Sequence, residues 1–354
     1  MLDYNKLFSK NPFSVNQEIK NRWFFKDQKK LSLYHYKQCK EYQKIVDKIF
    51  TNLKKAKKLS ELPFVHAKIF KEYNLKSVKD INLSKTLTSS GTSGNAASQI
   101  NLDRKTSLLQ SKTLNHIFSN IVKNKRSSIF FIDTPDVLSG PSSVSARGSA
   151  IKGFSQLFKN SYFLLDRNFN LKIKILLNFI KKNKGQEYVI FGFTSFVWKY
   201  LINELERRKM NIPKNNGILI HGGGWKKMKD QAIDRNLFNK KIFKNIGIKT
   251  VHNYYGMVEQ TGSIFLECEK GYFHSSIFSE ILIRDNYLKI APLKKKGLIQ
   301  VFSLLPLSYP GHNILTEDIG KIEGVDNCKC GRKGKYFSII GRAPDTEIRG
   351  CSDV

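Results

Sequence analysis

The sequence predicts an α/β fold with a substantial parallel sheet, and three observations carry that expectation. Apolar runs of strand length recur at Ser128–Asp133, Tyr188–Gly192 and Gly217–Gly222, each closed by a glycine or by the turn signal Thr134-Pro135. Lysine-rich segments of helical character lie between them. A composition of 40% hydrophobic and 12% aromatic residues over 354 positions supplies enough apolar surface for a sizeable core. Strands alternating with helices build a parallel sheet covered on its faces.

Taken in chain order, residues 1 to about 80 read as mostly helical. Between Leu31 and Lys58, Leu33, Tyr36, Tyr42, Ile45, Val46 and Ile49 recur at three- and four-residue steps among charged residues, as on an amphipathic helix. Pro63 ends that pattern. A polar, glycine-rich stretch runs from Thr86 to Gln99, and Ser107 to Ile121 again reads as helix. The three strand candidates follow. Residues 277–325 switch to short alternating strands and turns, which predicts a smaller antiparallel or barrel-like part. The expected organisation is a helical segment over 1–80 packed on a catalytic domain over 81–345, with a tail over 346–354. No internal repeat or low-complexity linker interrupts it.

Lys and Arg number 61 against 29 Asp and Glu, a formal charge of +32. Such a field favours anionic partners. The basic clusters Lys54-Lys55 with Lys57-Lys58, Lys181-Lys182 with Lys184, and Lys294–Lys296 are short and scattered. They are not interleaved with aromatics as in a nucleic-acid module, so a nucleic-acid partner is disfavoured and an acidic protein such as an acyl carrier would use the same field. The N-terminus has no basic segment followed by an apolar run, and no stretch approaches the ~20 apolar residues of a bilayer span. A cytoplasmic enzyme is the expectation. Five cysteines in a chain this long do not make a disulfide framework.

The chemistry concentrates in four segments. Thr88-Ser89-Ser90-Gly91-Thr92-Ser93-Gly94 packs five hydroxyls and two glycines into seven residues. Glycine lets a backbone turn close to an anion, and N–H and hydroxyl donors surround phosphate oxygens. No Gly-Lys-Ser/Thr follows, so this is not a Walker loop. Downstream come Asn253-Tyr254-Tyr255-Gly256-Met257-Val258-Glu259, the acidic turn Thr316-Glu317-Asp318-Ile319-Gly320, and Gly341-Arg342-Ala343-Pro344-Asp345. Each alone reads as a loop, a core tyrosine or a solvated turn; their order is what argues for a shared site.

In that order the segments resemble the adenylate-forming superfamily of acyl-CoA synthetases and peptide-synthetase adenylation domains. The resemblance is closer to one branch, the acyl-protein synthetases of LuxE type, and extends over nearly the whole chain. It is carried by Phe70-Lys71-Glu72, Ser145-Ala146-Arg147-Gly148, His221-Gly222-Gly223-Gly224-Trp225, Tyr255-Gly256-Met257-Val258-Glu259-Gln260-Thr261-Gly262 and Arg349-Gly350-Cys351-Ser352. It implies the large N-terminal-type domain of that fold and ATP-dependent activation of a fatty or other organic acid as acyl-adenylate. Thr88 to Gly94 would hold the β- and γ-phosphates, and Gly222, Gly223 and Gly224 would lie against the adenine. Tyr255, next to Gly256, would stack on it. Glu259 would hold Mg²⁺, Asp318 would accept from the ribose hydroxyls, and Arg342 would sit near ribose or phosphates. Ser145 to Gly148 and Gly192 to Ser195 would wall the acyl pocket.

Two departures from the superfamily stand out. Val258 occupies the place of a Thr or Ser that meets the α-phosphate, with Thr261 a substitute. The sequence also stops without the small mobile C-terminal domain and its catalytic lysine, as the acyl-protein synthetase branch does. By the same resemblance, Cys351 would accept the acyl group as a thioester and pass it to a reductase subunit. A thiolate is a good nucleophile toward a mixed anhydride. An acyl-CoA ligase-like or surface-polysaccharide acyl-transfer enzyme, and a non-catalytic basic scaffold of the same fold, are the alternatives.

Among the remaining cysteines, Cys328 and Cys330 follow a turn, and Cys268 precedes His274 in a hairpin-like segment. Three cysteines and a histidine make a closed tetrahedral zinc site if the two halves meet; buried, reduced thiols are the alternative. Cys39 reads as a core residue. His35, His66, His116, His252 and His312 show no paired partner in sequence. His221 precedes the glycine run, where it serves as a structural histidine or approaches a substrate carboxylate.

Overall fold

The computed structural model describes residues 3–50, 53–89, 97–123 and 127–343. These form two compact units, one made of residues up to Ile117 together with those from Gly256 onward, the other of Phe118–Tyr255.

The Phe118–Tyr255 unit holds the parallel sheet. Its strands run in the order Thr250–Tyr255, Gly217–Gly222, Tyr188–Phe193, Ser128–Phe131 and Asn160–Phe163, every neighbouring pair parallel. Every residue of Tyr188–Phe193 and of Gly217–Gly222 is buried. Strands covered on both faces have no polar side to alternate with, which is why they read as continuous apolar runs in the sequence. Helices Ala146–Ser155, Ile173–Lys182 and Arg235–Ile246 belong to this unit. The last begins where Asp234 accepts from the N–H groups of Asn236 and Leu237, and ends at Gly247 in the left-handed conformation, φ 72°.

The other unit is built from both ends of the chain. Its antiparallel strands run Ser279–Arg284, Gly297–Ser303, Asn313–Val325, Lys335–Arg342, Phe273–His274 and Phe265–Glu267. Val65–His66 joins Asn313–Val325 in parallel. Leu83–Thr88 and Gln99–Asp103 form a separate ribbon. The strand order is open rather than barrel-closed among the described residues. One strand, Asn313–Val325, is 13 residues long, so this part is not made only of short strands.

Two further local expectations are corrected. The helix expected from Leu31 to Lys58 is two helices, Gln17–Gln38 and Lys40–Ile49, divided at Cys39, whose backbone is extended (φ −120°, ψ 108°). Cys39 itself is buried, and Tyr42 and Val46, one turn apart, carry the buried face of the second helix. The triplet Thr316-Glu317-Asp318 lies inside the long strand instead of in a turn. There the Thr316 hydroxyl donates to the Ile299 carbonyl at 2.8 Å, and Lys68 and Arg342 stand against the Glu317 carboxylate.

The helix Gln17–Gln38 buries polar groups beside the apolar Phe24 and Leu31. Lys20 and Glu280 form an ion pair at 3.1 Å with both side chains 1% exposed. Gln28 donates to the Ser303 carbonyl at 2.9 Å. His35, unpartnered in the sequence, bonds to Ser77 at 2.8 Å and to the Pro306 carbonyl at 3.1 Å. His312 bonds to Ser32 at 2.8 Å, and the two imidazoles stack with centroids 4.8 Å apart. His66 accepts from the Lys68 N–H, and His116 meets the Lys10 carbonyl at 2.7 Å. No helix among the described residues is long and apolar enough to cross a membrane.

Candidate active site

In the first unit, Glu259 sits in a single 3-10 turn, Val258–Gln260, and is 2% exposed. The Ser98 hydroxyl donates to its Oε1 at 2.9 Å. Ser98 also closes the base of the hydroxyl-rich segment: its N–H donates to Ser89 Oγ at 2.8 Å, and the Ser89 N–H donates to the Ser98 carbonyl at 3.0 Å. Thr88 ends the strand that leads there. The residues between, including Ser90, Gly91, Thr92, Ser93 and Gly94, lie outside the described residues, as does Cys351. The loop's two ends and the carboxylate four residues after Tyr255 therefore meet through one serine.

Asp318 and Arg342 face each other across paired strands. Arg342 donates to Glu317 at 2.6 Å, and its Nε stands 3.6 Å from Asp318 Oδ1. Glu317 is buried, and Lys68 approaches its other oxygen at 3.2 Å. The carboxylates of a strand thus orient two cations. Val258 is buried, and the Thr261 hydroxyl donates to the Val258 carbonyl at 2.9 Å.

In the second unit, Gly222 pairs in register with Tyr254. A Cβ on Gly222 would lie 2.5 Å from an atom of the Tyr254 ring, so only glycine allows that approach. Gly223 and Gly224 follow with φ of 76° and 68°, a conformation L side chains resist. Tyr254 packs against Phe191 and Phe154. Alternation along a strand puts its neighbour Tyr255, half-buried, on the opposite face. The Thr194 hydroxyl donates to the Gly222 carbonyl at 3.0 Å and meets His221 Nδ1 at 2.9 Å. Burial first, and then Arg235 and His252, pushes the His221 pKa down to about 3. Its imidazole is neutral and its ring lies against Phe238. These contacts are those of a structural histidine.

Ser145 caps the helix Ala146–Ser155, accepting from the Gly148 N–H at 3.0 Å. Arg147, on the first turn, reaches Asp133 at 3.3 Å and lies over the Phe196 ring. Arg147, within the segment Ser145–Gly148, thus meets Phe196, the residue that follows Gly192–Ser195. Burial raises the Asp133 pKa from 3.8 to about 6, with Arg147 opposing the shift.

Sequence reasoning missed Ser98, Glu317, Lys68 and Asp133. Glu317 lies within the acidic triplet, Asp133 ends a strand candidate and Ser98 falls in the polar Thr86–Gln99 stretch, but none of these patterns distinguishes the residue itself, and nothing marks Lys68. A cavity of about 910 Å³ in the first unit, lined by Ile49, Phe50, Leu62, Phe64 and Arg284, includes none of the expected site residues. The Arg284 guanidinium is already engaged by Gln300 and by the Leu288 and Ser60 carbonyls. Cys268, His274, Cys328 and Cys330 do come together, with one ligand atom of each within 4.8 Å of the others.

Comparison with known proteins adds a family. The profile described as "Acyl-protein synthetase, LuxE" matches residues 3–354. A long-chain-fatty-acid–luciferin-component ligase of Vibrio harveyi is 23% identical over 348 residues, covering 94% of this chain and 89% of that protein. Its namesake from Aliivibrio fischeri is 24% identical over 358 residues, 93% and 89% of the two chains. Among solved structures, an open conformation of 2-hydroxyisobutyryl-CoA ligase in complex with 2-HIB-AMP and CoA shares the fold. The TM-score is 0.73, over 95% of this chain and 77% of that one, at 14% identity.

Proposed function

The chain belongs to the acyl-protein synthetase, LuxE family, and from that membership we propose that it activates a fatty acid, or another organic acid, with ATP and passes the acyl group to a protein thiol. In the first half-reaction a carboxylate oxygen attacks the α-phosphorus of ATP, the bond to the bridging oxygen breaks, and pyrophosphate leaves. In the second, a thiolate attacks the acyl carbonyl, AMP leaves with the bonding pair, and the thiol proton goes to solvent.

The observation that supports this reading best is the Ser89–Ser98–Glu259 linkage, because it joins the base of a phosphate-type loop to a buried carboxylate. Hydroxyls and a carboxylate are hard oxygen donors, the set Mg²⁺ favours. Glu259 would hold the ion, and bound Mg²⁺ would neutralise charge on the phosphates. Thr88, Ser89 and the segment Ser90 to Gly94 would donate to the β- and γ-phosphates. Gly222 to Gly224 and Tyr255 would take the adenine, Gly256 would leave room beside it, and Asp318 would accept from the ribose. Arg342, held by Glu317 and Asp318, would present fixed positive charge. With two anionic substrates, preoriented donors of this kind carry most of the rate enhancement. Ser145 to Gly148 and Gly192 to Ser195 would shape the acyl site.

Cys351 is the proposed acceptor, and the excess of 32 positive charges would draw an acidic acyl carrier or a reductase subunit to receive the group. The test is ATP–pyrophosphate exchange against a panel of fatty and aromatic acids, with wild type and Cys351→Ser, alongside labelling from radioactive acid. Exchange retained in the variant with protein labelling lost supports both halves. Labelling that persists without Cys351, or transfer only to free coenzyme A, refutes the second half. No exchange with any acid refutes the first.

A further inference from the structure

We propose that Cys268, His274, Cys328 and Cys330 form a structural zinc site that clips the Phe265–His274 hairpin to the turn before strand Lys335–Arg342. It is separate from the adenylation chemistry. The four ligand atoms come from segments 60 residues apart and fall within 4.8 Å of one another.

Two of their six separations match the edges of a zinc tetrahedron. Zinc binds thiolate sulfur at about 2.3 Å and imidazole nitrogen at about 2.0–2.1 Å, so tetrahedral edges are about 3.8 Å between sulfurs and about 3.6 Å between sulfur and nitrogen. Cys268 Sγ and Cys328 Sγ stand 3.9 Å apart, and Cys330 Sγ is 3.4 Å from His274 Nε2. The sulfurs are far beyond the ~2.05 Å of a disulfide. A hydrophobic contact between reduced thiols sets no such edge length and needs no histidine.

The backbone presents the thiols twice in the same way. The Cys268 carbonyl accepts from the Gly271 N–H at 2.9 Å, and the Cys328 carbonyl accepts from the Gly331 N–H at 3.0 Å. Both glycines have φ of 83°. Each turn is therefore Cys-x-x-Gly with the glycine in the left-handed region, which tightens the chain around its cysteine. The second turn carries Cys330 within it, so the close Cys-x-Cys spacing is accommodated by the turn itself.

The surroundings fit a closed site rather than a catalytic one. His274 and Cys268 are fully buried and Cys328 nearly so. Tyr336 stacks on the His274 ring at 5.6 Å, and Tyr272 packs against the cluster. Three thiolates and a neutral imidazole around Zn²⁺ leave one net negative charge. Arg332, the residue after the second turn's glycine, lies within electrostatic reach of all three cysteines and balances it. Its guanidinium is fixed by the Leu266 carbonyl at 3.1 Å and by the Phe13 ring.

The experiment uses the full chain purified without chelator from zinc-containing medium. Metal analysis is expected to find about one zinc per chain, the stoichiometry of a single closed site. Exchange with Co²⁺ is expected to give thiolate-to-cobalt charge transfer and intense tetrahedral d–d absorption. Cys330→Ser weakens metal retention at least about tenfold, whereas Cys39→Ser keeps it in full. Should Cys330→Ser fail to fold, the wild-type cobalt spectrum decides. Wild type without zinc and without a tetrahedral cobalt spectrum overturns the proposal, and so does a folded Cys330→Ser that binds zinc as tightly as wild type.

Discussion

Ser98 and Glu259 are 161 residues apart in the chain and joined by a hydrogen bond of 2.9 Å in a buried setting. Through it, a carboxylate from a one-turn 3-10 helix is fixed against the closing pair of a hydroxyl-rich loop. Glu259→Gln tests its charge apart from its shape, because the amide oxygen still accepts from Ser98. ATP–pyrophosphate exchange is expected to fall by about a hundredfold or more. The unfolding free energy should move by no more than about 1 kcal/mol, as read from a denaturant titration. Equal losses of activity and stability would assign the residue to the fold alone.

Arg342 and Glu317 provide a second test. Arg342→Ala leaves the Glu317 carboxylate buried with Lys68 still beside it, and should destabilise by about 1–3 kcal/mol. Adding Glu317→Gln removes the buried charge that Arg342 compensates and should recover most of that loss. A denaturation double-mutant cycle measures the coupling. Additive losses would show that the ion pair does not orient Arg342.

Gly222 is the position where a single methyl should be felt most directly. Gly222→Ala puts a carbon 2.5 Å from the Tyr254 ring and is expected to destabilise by about 1–3 kcal/mol through overpacking. Shortening the ring, in Gly222→Ala with Tyr254→Leu, should relieve part of the loss. Thermal melts of the two single variants and the double variant give the comparison. A melt of Gly222→Ala equal to that of wild type would refute the close approach.

Asp133 gives a pH dependence whose sign is fixed. Its folded-state pKa of about 6 is above the ordinary 3.8, so the fold favours the protonated acid. That contribution is complete below about pH 3.8 and is lost as pH rises through about 6. Asp133→Asn, which cannot ionise, should lose less stability than wild type across that window, with the gap closing toward acid. Parallel stability–pH curves would contradict the assignment.

The parallel strands were legible because burial on both faces leaves a local signature: Tyr188–Phe193 and Gly217–Gly222 are apolar runs ended by the sheet's edge. The helix Gln17–Gln38 was legible only in part. Its buried face carries only Phe24 and Leu31 among Lys20, Gln28, Ser32 and His35, polar groups that each find a partner more than forty residues away, so the apolar period is interrupted. The break at Cys39 had no glycine or proline to mark it. Likewise, Thr316-Glu317-Asp318 looks like a turn until Lys68 and Arg342 are seen to neutralise it within a strand. The glycine run, Glu259, and the Cys/His set were visible because their residue types are unusual where they stand. Ser98 was not, since a serine after a polar loop is ordinary and only the fold brings it to a carboxylate.

The unit assembled from both chain ends has a consequence for synthesis. Lys20 donates to the Ser279 carbonyl at 2.6 Å, 259 residues later in the chain, and its counter-charge is Glu280. On a ribosome adding about 5–20 residues each second, the ammonium of Lys20 waits on the order of tens of seconds for that partner. The intervening Phe118–Tyr255 segment, which carries five consecutive parallel neighbours of the sheet, emerges in the meantime. Until residue 280 has been made, that ammonium has only water to answer its charge, so the buried pair is among the contacts that synthesis completes late.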